Sequence, residues 1–385
     1  MKIIKINNLN LLSLSLKQKG VGLVELLVSM LIGLFIMAGV LQLFSTSSQN
    51  TVAASGASRI QENARFVFAR LAEDIAQTGS LGCISASNRQ ISNQTYIDNL
   101  LGKDAAANEA YDFTSIINGH DAATATTIPA GDVAINTDTL NIRFIDSSVR
   151  IDLSANAGIS VAPGQIFVDK DDVNFSNLRP YQIVALANCK RAAIFMITGI
   201  VEATGEVTIA AGIANKSPAG SINAGQYNVK NTLDKSHDYR TDVGLQTVTS
   251  PSYLYGGSTG SLLYFIGDSQ NGSCSTASIV NANPNLSSGP ENCSLFRLEN
   301  GVASELVEGV SNMQIIYGWT TDDAAGTLFF GTASDTTTVD NRHLIDRVHI
   351  VLTFNSISNA TSTGNNVDGL LVKTIAQTFN LSNQL

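Results

Sequence analysis

The chain has 385 residues, enough for one large domain or two ordinary domains with a substantial core. Charged residues make up 14% of it and hydrophobic residues 44%, and the formal net charge is −9. The first 20 residues contain four lysines and no acidic residue, so residues 21–385 carry −9 − 4 = −13. A chain this acidic lacks the positive surface that neutralises phosphate, which argues against direct nucleic-acid binding.

Residues 21–44, "VGLVELLVSMLIGLFIMAGVLQLF", predict a single transmembrane helix. A helix of this length covers roughly 36 Å, and the hydrocarbon core of a bilayer is about 30 Å thick. Lysines precede the run and no Lys or Arg follows it until Arg59, so the positive-inside rule leaves residues 1–20 in the cytoplasm. Glu25 is the anomaly, because a carboxylate inside a membrane span is costly and indicates a function.

Three interpretations of this segment compete. The first is a cleaved secretory signal, which requires a small-x-small cleavage site after the apolar run, and "LQLFSTSSQN" fits that requirement poorly. The second is a plain membrane anchor. The third is a signal cut before the apolar run, so that the run stays in the mature protein, and this interpretation explains Glu25.

"KGVGLVELLVSMLIG" resembles the class III signal of type IV pilins and pseudopilins. The resemblance implies that prepilin peptidase removes the leader 1–20 by cutting between Gly20 and Val21, and that Val21 is then N-methylated. It also implies that Glu25, the fifth residue of the mature chain, pairs with the Val21 amine of a neighbouring subunit during assembly. Val21 departs from the Phe or Met that is commonest in the family. The alternative for Glu25 is contact with unrelated helices.

The helix is predicted to continue over residues 45–79 as an amphipathic segment. Apolar residues recur there at helical spacing and form one face that should pack on a globular domain: Ile60, Ala64, Val67, Phe68, Leu71 and Ile75. Most charged residues are predicted to lie off that face: Arg59, Glu62, Arg65, Arg70, Glu73 and Asp74. Gly79 and Gly82 supply stop signals, and the Ser/Thr/Gly-rich stretch predicts a bend or local melting near Gly56.

Residues 80–385 predict a β-rich globular domain outside the cytoplasm. Short alternating runs separated by turn residues indicate strands, for example "TLNIRFID", "EVTIAAG", "MQIIYGW" and "DRVHIVLTFNS", and "YQIVALANCKRAAIFMITGIV" predicts two strands joined at residues 188–191. "RLENGVASELVEG" contains an Asn-Gly turn and predicts a hairpin. Segments near 84–132 and 200–260 are expected to be insertions, with loops and a short helix in the first and loops over residues 214–260 in the second. The predicted fold class is therefore α+β, with one long N-terminal helix packed on a mostly antiparallel sheet domain.

Four phrases of this domain resemble the PilW group of type IV pilus minor pilins: "DIAQTGSLGC", "ALANCKRAAIFMITG", "CSLFRLENGVASELVEGVSNMQIIYG" and "IDRVHIVLTF". The resemblance implies a pilin-like fold and a non-catalytic role. Such a subunit primes pilus assembly and sits in the tip complex of the fimbrium, and it contributes to piliation, twitching motility, adhesion and DNA uptake. Its implied partners are the major pilin, other minor pilins, prepilin peptidase and a PilY-type tip adhesin. Its implied location is the inner membrane, with a periplasmic domain, and then the pilus at the cell surface.

The four cysteines are compatible with two disulfides in an oxidising compartment, and by themselves they allow three connectivities. Free buried thiols or a metal site are the alternatives. The resemblance to the PilW group implies that Cys83 pairs with Cys189, because both lie in matching elements, and that Cys274 pairs with Cys293.

No catalytic or cofactor motif is found. The sequence contains no GxSxG, P-loop or HExxH pattern, and no Cys/His cluster predicts a metal site. His343 and His349 would share one face if a single strand included both. "TTDDAAG" and "DKSHD" lack EF-hand spacing, so acidic turns are favoured over Ca²⁺ loops. We expect no cofactor, no metal and no enzyme activity.

Two further classes of function stay open. The J-type minor pseudopilin of a type II secretion system shares the signal and the helix end. A singly anchored enzyme or adhesin with the same signal would not assemble into a filament.

Overall fold

The computed structural model describes residues 22–82, 84–85, 96–103, 115–122, 137–145, 147–154, 164–188, 191–218, 225–233, 252–256, 259–269, 273–274, 288–289, 292–299, 302–321, 326–335, 338, 342–356 and 370–381. The chain divides into two compact units, residues 1–54 and 55–385.

One helix, α1, runs without interruption from Leu23 to Ala76. It contains no proline, and its helical conformation continues through Gly56, so the local melting predicted there is wrong. The backbone tightens at the C-terminal end, where the amide of Thr78 donates to the carbonyl of Ile75. Gly79 follows with φ = 76°, a conformation that glycine adopts without a steric penalty, and this ends the helix.

The strands of the described residues are numbered in chain order. They are β1 (Ser80–Leu81), β2 (Ile84–Ser85), β3 (Tyr96–Asn99), β4 (Leu101–Lys103), β5 (Ile117–His120), β6 (Thr139–Ile145), β7 (Arg150–Asp152), β8 (Gln165–Phe167), β9 (Ile183–Asn188), β10 (Arg191–Met196), β11 (Gly199–Val201), β12 (Glu206–Thr208), β13 (Gln226–Asn228), β14 (Tyr253–Tyr255), β15 (Thr259–Asp268), β16 (Ser273–Cys274), β17 (Ser288–Gly289), β18 (Cys293–Glu299), β19 (Val302–Glu308), β20 (Val310–Thr320), β21 (Leu328–Gly331), β22 (Ile345–Asn355) and β23 (Val372–Asn380). Short 3₁₀ helices occur at Phe175–Asn177, Ile213–Asn215 and Arg342–Leu344.

Three of the sheets contain most of the strands of the domain. A seven-stranded sheet has the order β19-β18-β15-β6-β1-β2, with β5 also paired to β6. A four-stranded sheet has the order β21-β20-β22-β23, and a five-stranded sheet the order β3-β10-β9-β14-β7. Pairing is antiparallel except between β1 and β6, β3 and β10, and β16 and β17. The predicted α+β class, a long N-terminal helix followed by a mostly antiparallel β domain, is confirmed.

The predicted apolar face of α1 is buried in the larger hydrophobic core. All six residues of that face, Ile60, Ala64, Val67, Phe68, Leu71 and Ile75, are at most 7% exposed. They pack with side chains of the seven-stranded and four-stranded sheets. The ring of Phe68, for example, lies 6.5 Å from that of Phe354 on β22 and 6.3 Å from that of Phe379 on β23, between centroids. Burying a side chain of this size contributes about 1.5–3 kcal/mol, so this face fixes the helix on the domain.

A second, smaller core lies among the five-stranded sheet and the three-stranded sheet β11-β12-β8. Within their described residues, both segments contain strands where loops were expected over 84–132 and 214–260. Segment 84–132 supplies β2 to β5, and segment 200–260 supplies most of β11 and all of β12 to β14. β12 lies in the predicted strand "EVTIAAG". The other strands have two to four residues, which is too few to show an alternating pattern in the sequence.

The longer strand predictions are confirmed. "YQIVALANCKRAAIFMITGIV" forms the antiparallel pair β9 and β10, followed by β11. β18 and β19 pair as the predicted hairpin, whose Asn-Gly turn at 300–301 lies outside the described residues.

Two aspartates connect the β5–β6 region to β20 and to the segment after β21 by accepting hydrogen bonds from backbone amides. One oxygen of Asp138 accepts the amide of Ile315 at 2.8 Å, and the other accepts the amide of Ala122 at 3.1 Å. The carboxylate of Asp121 accepts the amides of Ala333 at 2.9 Å and Ser334 at 2.8 Å. Each carboxylate thus satisfies two backbone donors: those to Asp138 come from two separate segments, and those to Asp121 from two consecutive residues.

Burial and hydrogen bonding together shift the pKa values of these two carboxylates in opposite directions. Burial raises the pKa of Asp138, and the nearby Asp121 raises it further, while the two amide hydrogen bonds only partly offset this. Burial alone would raise the pKa of Asp121 as well. Hydrogen bonds from Thr332, Ser334 and Ala333 outweigh that effect, so the pKa of Asp121 is lowered.

We therefore predict opposite pH dependences for two single variants. Because its folded pKa is lowered, Asp121 stabilises the fold above its ordinary pKa of about 3.9, and this is lost as the pH falls through the lowered value. Asp138 has a raised folded pKa, so its contribution is fully present below about 3.9 and is lost as the pH rises through the raised value. In denaturant unfolding from roughly pH 3 to pH 7, the stability advantage of wild type over D121N should grow with pH. The stability advantage of wild type over D138N should shrink as the pH rises. If both advantages changed with pH in the same way, the two pKa assignments would be contradicted.

Candidate functional site

The N-terminal end of α1 carries the residue that the sequence singled out. The backbone amide of Gly22 donates to the Glu25 carboxylate at 3.2 Å, so Glu25 caps the first turn of its own helix. A negative charge is also favourable at this end because of the helix dipole. Gly20 and Val21, the predicted cleavage and methylation residues, lie outside the described residues.

The first part of α1 presents an apolar surface on all sides. Every described residue from Gly22 to Val52 is exposed. The mean hydropathy is 2.4 in the most apolar window of the helix, which is long and apolar enough to cross a membrane. The large apolar side chains that are at least half exposed there are Leu23, Val24, Leu26, Leu27, Val28, Met30, Leu31, Ile32, Leu34, Phe35, Ile36, Met37, Val40, Leu41, Leu43 and Phe44. A surface of this kind is stable only when lipid or other helices cover it.

Two hydroxyl side chains within this surface donate hydrogen bonds to carbonyls of their own helix. The hydroxyl of Ser29 donates to the carbonyl of Glu25 at 2.7 Å, and the hydroxyl of Thr46 donates to the carbonyl of Gln42 at 3.0 Å. Such bonds remove the cost of placing a hydroxyl in an apolar environment. Among the described residues from Gly22 to Phe44, Glu25 is thus the single charged group.

The C-terminal part of α1 is held by a buried ionic cluster around Asp74. Asp74 is 1% exposed, and one of its oxygens lies 2.7 Å from Nε of Arg297 on β18. The hydroxyl of Tyr264 on β15 donates to the same oxygen. Arg297 also bonds Glu299, and Arg70 lies 3.5 Å from the second oxygen of Asp74. The cluster therefore joins the helix end to two adjacent strands of the seven-stranded sheet, β15 and β18.

The electrostatics of the cluster keep its donors protonated. Burial raises the pKa of Tyr264, and the adjacent Asp74 raises it further. Burial lowers the pKa of the Arg297 guanidinium, but hydrogen bonds to Asp74 and Glu299 outweigh this, so the pKa is raised. Both side chains remain donors at physiological pH, and Asp74 is their common acceptor.

The sequence prediction for Asp74 was wrong. We expected this residue off the buried face with the other charged residues, but its spacing of three from Leu71 places it on that face. That spacing was the available signal. What the sequence could not show is that Arg297, 223 positions later, supplies the opposite charge.

We predict that D74A lowers the free energy of unfolding of the full chain by about 3–5 kcal/mol, because it leaves Arg297 buried without its main partner. Denaturant unfolding in detergent measures this. E73A is the matched control on the adjacent position, since the Glu73 side chain is 61% exposed and its pair with Arg70 lies at the surface. Removing that pair should cost under about 1 kcal/mol. Equal losses in the two variants would contradict a special role for Asp74.

One of the two implied disulfides is present in the structure. Cys274 on β16 and Cys293 at the start of β18 are bonded, which closes the segment between β16 and β18. A loop of this length corresponds to about 3 kcal/mol in the chain-entropy model. Cys83 and Cys189 lie outside the described residues, so their pairing stays a prediction.

The structure brings no metal-binding group together among the residues that it describes. β22 begins at Ile345, so it does not contain both histidines: His343 lies in the preceding 3₁₀ helix. His349 is on β22, and its Nδ1 lies 2.8 Å from the hydroxyl of Thr378. Of the two acidic turns, Asp322 and Asp323 and the whole of "DKSHD" lie outside the described residues.

Residues 15–41 match the family model of the prokaryotic N-terminal methylation motif. The matched range contains the predicted cleavage position and Glu25, and it runs into the exposed apolar part of α1. This match supports a type IV pilin-like or pseudopilin protein. It also suggests a structural protein that is handled by prepilin peptidase and that is anchored in a membrane before it joins a pilus-type assembly. No curated protein and no solved structure matches the chain.

Proposed function

We propose that this chain is a minor pilin of the PilW kind, which primes type IV pilus assembly and sits in the tip complex. The observation that carries the proposal is a single carboxylate, Glu25, at the N-terminal end of an exposed apolar helix within a matched methylation motif. The helix supplies the assembly surface. The sheet domain, on which residues 60–75 pack, supplies the part that contacts other subunits outside the membrane.

In this proposal the chain is organised in four parts. Prepilin peptidase removes the leader 1–20 and exposes the Val21 amine, which is then methylated. Residues 21–44 form the membrane and filament-core helix, 45–79 its amphipathic continuation, and 80–385 the periplasmic domain. The partners are the major pilin, other minor pilins and a PilY-type adhesin at the tip. The chain resides in the inner membrane before it moves into the pilus.

The charge on Glu25 gives the assembly step its selectivity. Before cleavage the carboxylate caps its own helix through the amide of Gly22. Cleavage creates a positive amine at Val21, and a neighbouring subunit can then offer that amine to Glu25. Attraction between the two charges is stronger in an apolar surrounding than in water, and an unpaired carboxylate there is costly. Correctly docked subunits are therefore favoured over undocked ones.

We predict that E25A still yields membrane protein with Val21 at its N-terminus but lowers the filament-associated fraction at least about tenfold, the effect of roughly 1.4 kcal/mol per docking step. N-terminal sequencing of the membrane form and immunoblotting of sheared filaments measure the two quantities. S29A is the matched control, because Ser29 lies one turn further along and carries no charge. A mature start near residue 50, or an intact Met1, would contradict the proposal.

The runner-up function is a J-type minor pseudopilin of a type II secretion system, since the matched motif is common to pilins and pseudopilins. Deletion of the gene separates the two. For the minor pilin we expect a severe loss of surface pili with normal exoenzyme secretion. Normal piliation with exoenzymes retained in the periplasm would instead establish the pseudopilin.

A further inference from the structure

We draw no further inference here: the strongest candidate, the small cavity between β5, β20 and the start of β22, is lined by the buried hydroxyl-bearing residues Tyr317 and Thr338 but has no room for a ligand of even the size of a water molecule.

Discussion

Burial of one face of α1 in the β domain is the constraint on which the rest of the structure depends. Six apolar side chains between Ile60 and Ile75 enter the larger core, and Asp74 adds a buried charge on the same face. Apolar burial gives most of the stabilisation but little directional information. The bonds from Arg297 and Tyr264 supply direction, because a buried carboxylate is stable only where donors meet it at the right geometry.

The two parts of α1 require different surroundings. From Gly22 to Val52 its side chains are exposed and overwhelmingly apolar up to Phe44, whereas from Ile60 onward one face is buried and the other carries charges. The first part needs an apolar surrounding, and the second needs a folded sheet domain. The methylation motif at the N-terminal end is consistent with this division, since it is typical of subunits that move from a membrane into a filament.

Polar groups and a disulfide near the ends of elements also connect the parts of the domain. Asp121 and Asp138 bind backbone amides of segments far away in the chain, and the Cys274–Cys293 bond closes the region before β18. These contacts hold segments whose strands are too short to be stable alone. The edge strand β21 is different, because its Leu-Phe-Phe run stays exposed although it pairs with β20 and Phe329 stacks on Trp319.

The sequence alone determined the features that depend on local periodicity: the long helix, its apolar run, its buried face and the longer hairpins. It also pointed to Glu25, because a charge in an apolar run is conspicuous without any structure. Only the tertiary structure decided which distant residues meet. The pairing of Asp74 with Arg297 is a contact across 223 positions that leaves no periodic trace. The strands within segments 84–132 and 214–260, and the exposure of β21, likewise depend on neighbouring strands, because pairing and burial are properties of the assembled sheet.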